Sequence, residues 1–372
     1  MTAGQNGPTK SGWRPPPRTQ RISVKKAEPD PRTAIVSCAV TGQNACYDSE
    51  GTTIPCDRSG QDAAVRSGTP WPVPRFQHTA NSIIDRLTNL EWWHDASVAG
   101  FPLNWDEAFE FIAGINRDAQ GGHTDWRLPN RRELHSLIDY GRHRPSLPAD
   151  LSASNVFQSW YWTSSTAAIH PTHAWYIDLA GGRLFYGGKD QSYMVWPVRG
   201  HDSALAITGQ HRCFDARGAP IDCGGTGQDG GIRSGREWPQ TRFASRPEGT
   251  LDQLTGLVWH PQGGVGGLMN WDEALACVQA LNNALPSGPN WRLPNINELE
   301  SLVDADRDRP ALPAEHPFTH TEEVYWSSTT SVFEPDWAWA LYLEKGALGV
   351  GHKPFARFAV WPVRSDAIVS LS

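Results

Sequence analysis

The sequence predicts an α+β protein made of two copies of one domain. Three observations predict it: an internal repeat, two helix signals early in each copy, and hairpin-like strands late in each copy. Residues 41–76 and 208–243 align without a gap, and 18 of their 36 positions are identical. A match of this length indicates a duplication. We therefore place copy 1 at residues 34–203 and copy 2 at residues 204–372, which are ordinary lengths for a domain.

The helix signals come first in each copy. Asn104 precedes apolar residues at helical spacing, and Glu107 follows three positions later, which is the pattern of a capping box. A second helix is predicted after Asn130, with Glu133 in the corresponding place. Copy 2 repeats both signals, at Asn270 with Glu273 and at Asn295 with Glu298.

The strand signals follow. Residues 174–179 and 183–186 flank a Gly-Gly pair and predict a β-hairpin. Residues 194–199 predict a closing strand, in which Pro197 marks a bulge or a free edge. Helices early and an antiparallel sheet late are typical of an α+β domain.

Composition and charge exclude several classes of protein. Hydrophobic residues make up 39% of the 372 residues and charged residues 20%, which is enough for packed cores. The apolar runs are too short for a membrane span. Residues 1–33 carry seven Lys and Arg against two acidic residues and predict a disordered, Pro-rich basic arm. The remainder is acidic, because the whole chain has a net charge of −7, and this disfavours nucleic acid as a partner.

Four of the six cysteines form two matched pairs, each ten residues apart. Cys46 and Cys56 flank a turn in copy 1, and Cys213 and Cys223 flank the equivalent turn in copy 2. A hairpin brings such residues into bonding range, so we predict the disulfides Cys46–Cys56 and Cys213–Cys223. A zinc site is the alternative, weakened because neither pair is CxxC and no His recurs at matched positions.

Paired cysteines are typical of oxidising compartments, so an extracellular or cell-surface location is expected. Residues 1–33 lack the apolar middle of a signal peptide, and this expectation therefore depends on the cysteines alone. Cys38 and Cys277 have no counterparts in the other copy, and they either bond to each other or stay free.

The ordered motifs GQD, LTxLxW, NWDEA, DWRLPNxxEL, YWSST, AW and WPVR resemble the bacterial Lcl C-terminal domain family, named for the end domain of a collagen-like surface adhesin. The resemblance covers residues 41–199 and 208–364. WRLPN followed by EL is also similar to a segment of the formylglycine-generating enzyme superfamily. The resemblance implies two tandem C-type-lectin-like domains, a secreted or surface location, binding of glycans or other surface ligands, and a homo-oligomer.

Residues that recur in both copies, in predicted loops, are the candidate ligand contacts. Two aromatic residues followed by hydroxyls offer a ring face and hydrogen bonds to a sugar, although core packing explains the same pattern. A matched lysine lies before the last strand of each copy, and a solvated surface lysine is the alternative. The candidates are Tyr161, Trp162, Ser164, Ser165 and Lys189 in copy 1, and Tyr325, Trp326, Ser327, Ser328 and Lys353 in copy 2.

Two further sets of repeated residues have structural alternatives. Asp62 and Asp229 in the GQD motif are the candidate ligands for calcium, which takes six to eight oxygens, and turn formation by Asp is the alternative. Arg127 and Arg292 in the WRLPN motif are expected to bridge groups inside the fold.

These features predict a non-enzymatic binding protein that recognises glycans or another surface ligand. One alternative is a structural or display subunit of an extracellular fibre. Another is an oxidase of the formylglycine-generating type, which requires a cysteine pair near the end of the domain. No cysteine follows Cys277, which counts against the oxidase.

Overall fold

The computed structural model describes residues 1–2, 36–200, 203–284 and 290–365. The arm predicted over residues 1–33 lies outside these residues, apart from the first two. The described residues after Asp30 belong to one compact unit, Pro31–Ser372. Both copies therefore lie in a single unit.

Within the described residues, each copy contributes nine strands and three α-helices in the same order. Copy 1 contains β1 Cys46–Tyr47, β2 Thr53–Ile54, α1 Asp62–Val65, β3 Phe76–His78, β4 Ser82–Asp85, β5 Leu90–Trp93, α2 Trp105–Arg117, α3 Arg131–His135, β6 Trp160–Thr166, β7 His173–Asp178, β8 Leu184–Gly188 and β9 Val198–Arg199. Copy 2 contains β10 Cys213–Phe214, β11 Pro220–Ile221, α4 Asp229–Ile232, β12 Phe243–Arg246, β13 Gly249–Asp252, β14 Leu257–Trp259, α5 Trp271–Ala284, α6 Ile296–Ser301, β15 Val324–Thr330, β16 Trp337–Tyr342, β17 Ala347–His352 and β18 Val363–Ser365. The protein is therefore α+β with more sheet than helix, as the sequence predicts.

The predicted capping boxes begin the main helices. The Asn104 side-chain oxygen accepts from the Glu107 backbone N–H at 3.0 Å, and Glu107 accepts from the Asn104 N–H at 2.9 Å. The same reciprocal bonds begin α3, α5 and α6. The one-turn helices α1 and α4 carry the GQD motif, and they are too short for periodicity to predict. No helix in the described ranges combines the length and apolar character needed to cross a membrane.

Two four-stranded antiparallel sheets belong to one copy each, β3-β4-β5-β9 and β12-β13-β14-β18. A six-stranded sheet, β6-β7-β8-β17-β16-β15, runs across both copies. Its centre is the pairing of Leu184 with Leu348, which occupy equivalent positions in the repeat. A contact between equivalent residues places an approximate twofold axis at this point.

The shared sheet changes where the core lies. Two tandem copies of one domain predict two separate cores, each around its own tryptophan-rich centre. The largest buried cluster instead combines residues of both copies, including Trp92, Trp175, Trp259 and Trp339. Smaller clusters, one of them around Trp105, belong to single copies. The expectation of two separate cores was wrong, because β8 and β17 join the copies edge to edge.

Each copy divides into a leading segment and a body. Segment 1 is residues 36–75 and body 1 is residues 76–199; segment 2 is residues 203–242 and body 2 is residues 243–365. Each segment carries one disulfide hairpin and one short helix. The contacts described below show that the hairpin and helix of each segment pack on the body of the other copy.

Candidate functional site

The arginines of the two WRLPN motifs lie where a body meets the opposite segment. Arg127 donates two N–H groups to Glu133 at 2.6 and 2.7 Å, and a third contact at 2.8 Å reaches the hydroxyl of Ser234 in segment 2. Arg292 repeats this, donating to Glu298 at 2.6 Å on both oxygens and to Ser67 of segment 1 at 2.7 Å. The expectation that these arginines bridge groups inside the fold is confirmed.

The hydroxyl runs of the two bodies bind the aspartates of the GQD motifs. The Ser165 hydroxyl donates to Asp229 at 2.5 Å, and Thr208 donates to the same oxygen at 2.7 Å. The Asp62 carboxylate correspondingly accepts from Thr329 and from Thr41, each at 2.7 Å. Each aspartate therefore joins its own segment to the opposite body.

Burial defines the chemistry of these aspartates. It raises the pKa of both Asp62 and Asp229 to about 6, although the hydrogen bonds donated by the neighbouring hydroxyl groups lower it. One oxygen of each carboxylate accepts hydrogen bonds from two hydroxyl groups, whereas a calcium ion needs a shell of free oxygens. Among the described residues, no group of three or more His, Cys, Asp or Glu is placed to hold a metal ion. The structure thus gives Asp62 and Asp229 a bridging role between segments and bodies.

The two matched lysines each hold the disulfide hairpin of the other copy. The Lys189 ammonium lies 4.0 Å from the Trp105 ring centroid and donates to the carbonyls of Phe214 and Asp215 at 3.1 and 3.2 Å. Burial lowers its pKa to about 7. Lys189 therefore belongs to the junction between the copies.

Lys353 repeats the arrangement in copy 2. Its ammonium lies 4.3 Å from the Trp271 ring and donates to Tyr47 and Asp48 at 3.2 and 3.0 Å. Burial lowers the pKa of Lys353 to about 8. A cation over an indole ring, with carbonyls completing its hydrogen bonds, is a satisfied internal group.

The remaining candidates also have internal partners. The Trp162 indole N–H donates to Leu103 at 2.8 Å, and the Tyr161 hydroxyl accepts from the Phe157 N–H at 2.9 Å. The Ser164 hydroxyl donates to Pro129 at 3.3 Å. In copy 2, Tyr325, Trp326 and Ser328 make the matching bonds, to Glu322, Met269 and Pro294. The Ser327 hydroxyl donates to the Trp339 carbonyl at 2.8 Å, as the equivalent Thr163 does to Trp175.

The structure therefore does not place the predicted ligand contacts at a surface. All ten are at most 2% exposed: Tyr161, Trp162, Ser164, Ser165, Lys189, Tyr325, Trp326, Ser327, Ser328 and Lys353. The reason is that they lie in strands covered on both faces, or beneath the segment of the other copy. Eight of the ten lie in β6 or β15 and not in the predicted loops, whereas the two lysines lie in turns. Their recurrence in both copies reflects assembly of the two halves.

Both predicted disulfides are present. Cys46 is bonded to Cys56 and Cys213 to Cys223, each with a Cα–Cα distance of 5.3 Å. The zinc alternative is excluded at these sulfurs, since each is bonded to another. Cys38 and Cys277 are free and partly exposed as residues. Burial of the thiol raises the pKa of Cys38 to about 12, so this thiol is protonated at neutral pH.

An aromatic cluster with one exposed member lies on body 1, at positions that the repeated motifs do not mark. We call Trp160, Tyr176 and Tyr193 the aromatic platform. Trp160 is 46% exposed, and its ring lies 5.5 Å from Tyr176 and 5.2 Å from Tyr193. The two tyrosine rings are 4.9 Å apart, and the Tyr193 hydroxyl donates to Gln191. A packed group of rings with one exposed member is thus available at the edge of the shared sheet.

The platform exists in one copy only. The equivalent positions in copy 2 are Val324, Ala340 and Phe358. A comparison of the two copies position by position gives the missing signal, because two of the three positions are aromatic in copy 1 and aliphatic in copy 2. Recurrence marks the residues that the copies share, and these three positions are among those that differ.

A cavity of about 310 Å³ lies where the copies meet, lined by residues of both. Its charged and titratable lining includes Arg132 and His135 of copy 1 and Glu300 of copy 2. Arg132 donates to Glu300 at 3.0 Å. Burial lowers the pKa of His135 to about 4, so its ring is neutral at pH 7.

Comparison with known families identifies the bodies. The sequence model of the Lcl C-terminal domain matches residues 81–199 and 248–364. These ranges fall within body 1 and body 2, and they exclude both segments. No curated protein matches the chain. Since the two matches cover more than half of its length, the chain belongs to the Lcl C-terminal domain family and carries two copies of that domain.

Proposed function

We propose that the protein is a non-enzymatic, secreted or surface-exposed binding protein with two C-type-lectin-like domains, and that it recognises a glycan through the aromatic platform of body 1. The observation that carries this proposal is the exposed Trp160 ring backed by Tyr176 and Tyr193. Exposed tryptophans supported by other rings are typical of binding surfaces, because they bury much area at little cost in side-chain entropy.

The surroundings of the platform favour a neutral sugar. Trp160 stands directly opposite Asp178 in the β6–β7 pairing, and Asp190 and Gln191 lie on the chain just before Tyr193. Carboxylates and an amide accept hydrogen bonds from sugar hydroxyls, and the carboxylates repel sulfate and carboxylate groups. A ring face flanked by acceptors therefore suits the apolar face and the hydroxyl rim of a neutral pyranose.

Two further observations concern the rest of the proposal, the scaffold and the location. The repeated serines and lysines are engaged in internal contacts, which leaves assembly as their use. The two disulfides suit an oxidising compartment such as the cell exterior. The lysine and hydroxyl side chains therefore support the platform's scaffold.

A glycan array tests the proposal with three proteins: the wild type, Trp160→Ala, and Phe355→Ala as a matched control. Phe355 is an aromatic residue that is 79% exposed, and it belongs to copy 2, whereas the platform belongs to copy 1. We expect the wild type and Phe355→Ala to bind the same neutral glycans. Trp160→Ala should weaken binding about tenfold or more, as loss of a stacked aromatic anchor does.

Two results contradict the proposal. Absence of binding to neutral and anionic glycans alike overturns the glycan ligand. Equal binding by the wild type and Trp160→Ala overturns the platform as the site.

A further inference from the structure

The two copies differ at three neighbouring positions that face the twofold axis. The WRLPN alignment pairs these positions as Arg131 with Ile296, Arg132 with Asn297, and His135 with Glu300. All six lie within α3 or α6, the short helices that pack on the shared sheet. Copy 1 therefore supplies two guanidinium groups at the axis, and copy 2 supplies one carboxylate.

These unlike groups meet each other across the copies. The Arg132 Nε–H donates to Glu300 at 3.0 Å, and its Nη1 donates to the Ile207 carbonyl of segment 2 at 2.7 Å. The Arg131 Nε lies 3.9 Å from the other Glu300 oxygen, and its Nη2 donates to Gly346 at 2.5 Å. All three side chains are at most 7% exposed. The axis thus holds a buried ion cluster made from both halves.

Pairing of like copies would destroy this cluster. Two copies of body 1 would place His135 where Glu300 now lies, and the arginines of both would face a neutral imidazole. Two copies of body 2 would place Glu300 opposite Ile296 and Asn297, with no cation. Buried charges without a partner are strongly unfavourable, so like pairing is disfavoured on both sides.

We infer that the axial face of each copy is an interaction surface whose partner is the unlike copy, in the same chain or in a second chain by reciprocal exchange. Few residues connect copy 1 to copy 2 near Gly200. Each copy carries its own segment and body, so copy 2 of a second chain offers copy 1 the same contacts as copy 2 of its own chain. Copy 1 therefore accepts copy 2 of any chain and rejects copy 1. This inference is independent of any glycan ligand.

Charge reversal in the full chain tests the inference. Arg132→Glu places two carboxylates together within one chain, and Glu300→Arg places three cations together. Each variant alone should melt roughly 5–15 °C below the wild type. When the two variant chains carry different tags and are co-expressed, exchange restores both pairs: Glu at 132 meets Arg at 300, and the native Arg132 meets the native Glu300. We expect a 1:1 complex of twice the chain mass of 41.1 kDa.

Two controls make the outcome decisive. The double variant R132E/E300R in one chain should be a monomer that recovers at least half of the lost melting temperature. The matched control pairs Arg242→Glu with Asp252→Arg, since this buried ion pair of 3.0 Å lies within copy 2 and exchange cannot restore it. If the reversed chains accumulate only together, that rescue supports the inference. Co-purification no greater than in the control, or a double variant no more stable than either single one, overturns it.

Discussion

The residues that make the segment contacts recur in the two copies, whereas the residues that make the axial contacts differ between them. Where each segment meets the opposite body, the residues recur almost one for one, as with Arg127–Ser234 and Arg292–Ser67. At the axis and on the platform, the copies differ, as with His135 and Glu300. In a duplicated chain, residues that recur hold the halves together, and residues that differ distinguish one half from the other.

The largest expected effect comes from breaking a recurring contact. Arg127→Ala leaves the buried Glu133 carboxylate without its cation and removes the bond to Ser234. We expect a loss of about 3–5 kcal/mol in the free energy of unfolding, measured by denaturant titration. Arg292→Ala should have nearly the same effect, slightly reduced because the Arg292 side chain is 16% exposed. A large loss in one copy and none in the other would contradict the symmetry of the two junctions.

The disulfide hairpins come next. Replacing Cys46 and Cys56 together by Ser opens a loop with a sequence separation of 10. Loss of so short a cross-link lowers the free energy of unfolding by about 2–3 kcal/mol through chain entropy. The hairpin also no longer holds the Tyr47 carbonyl in place for the Lys353 ammonium. The same replacement at Cys213 and Cys223 is the matched variant. Thermal unfolding of both should show equal losses, and a difference above about 1 kcal/mol would mean that one hairpin matters more to assembly.

A smaller effect depends on pH. Burial raises the pKa of Asp62 and Asp229 from 3.8 to about 6, so the folded state binds more protons than the unfolded state between these values. The stabilisation from the protonated carboxyls is fully present below pH 3.8 and is lost as the pH rises through 6. Asp62→Asn and Asp229→Asn should each remove about 2 kcal/mol of this dependence between pH 4 and pH 7, since one pKa unit corresponds to about 1.4 kcal/mol.

The free energy of unfolding of each variant must be compared with that of the wild type at the same pH. The lowered pKa of His135 gives a slope of opposite sign between about pH 4 and 6.5, because there the unfolded state binds the additional proton. Denaturant unfolding at pH 4, 5, 6 and 7 supplies the measurement. A variant curve parallel to that of the wild type would show that these carboxyls do not titrate with folding.

The smallest effect on stability is expected at the platform. Trp160→Ala should change the free energy of unfolding by less than about 1 kcal/mol, because its ring is nearly half exposed. Trp162→Ala, two residues along the same strand and fully buried, should cost about 3–5 kcal/mol. Stability loss at Trp160 comparable to that at Trp162 would indicate that the platform is part of the core.

Local features of the fold were predictable because local chemistry determines them. Asn104 with Glu107 predicted a helix start, and the Cys46–Cys56 spacing predicted a bonded hairpin. The exchange of segments was not predictable, since the bond from Gln43 to Thr330 joins residues 287 positions apart and leaves no local pattern. Repetition showed that both residues matter, but it did not show that they meet.

The candidate ligand residues show why the site was harder to predict. Tyr161 and Trp162 face opposite sides of one strand, and both sides are covered, so alternation gave no exposed face to identify. A lysine kept in both copies is equally consistent with a ligand contact and with an internal carbonyl partner. Only the position of the other copy's hairpin decides between them, as it does for Lys189.

The exchange of segments also restricts how such a gene can be shortened. Deleting either half would leave the surviving body without the hairpin that covers its lysine and without the aspartate that accepts from its hydroxyl run. The surviving segment would in turn lose the surface on which it lies. Once two copies have exchanged their leading segments, they are inherited as one indivisible unit, whereas the outer face of each remains free to diverge.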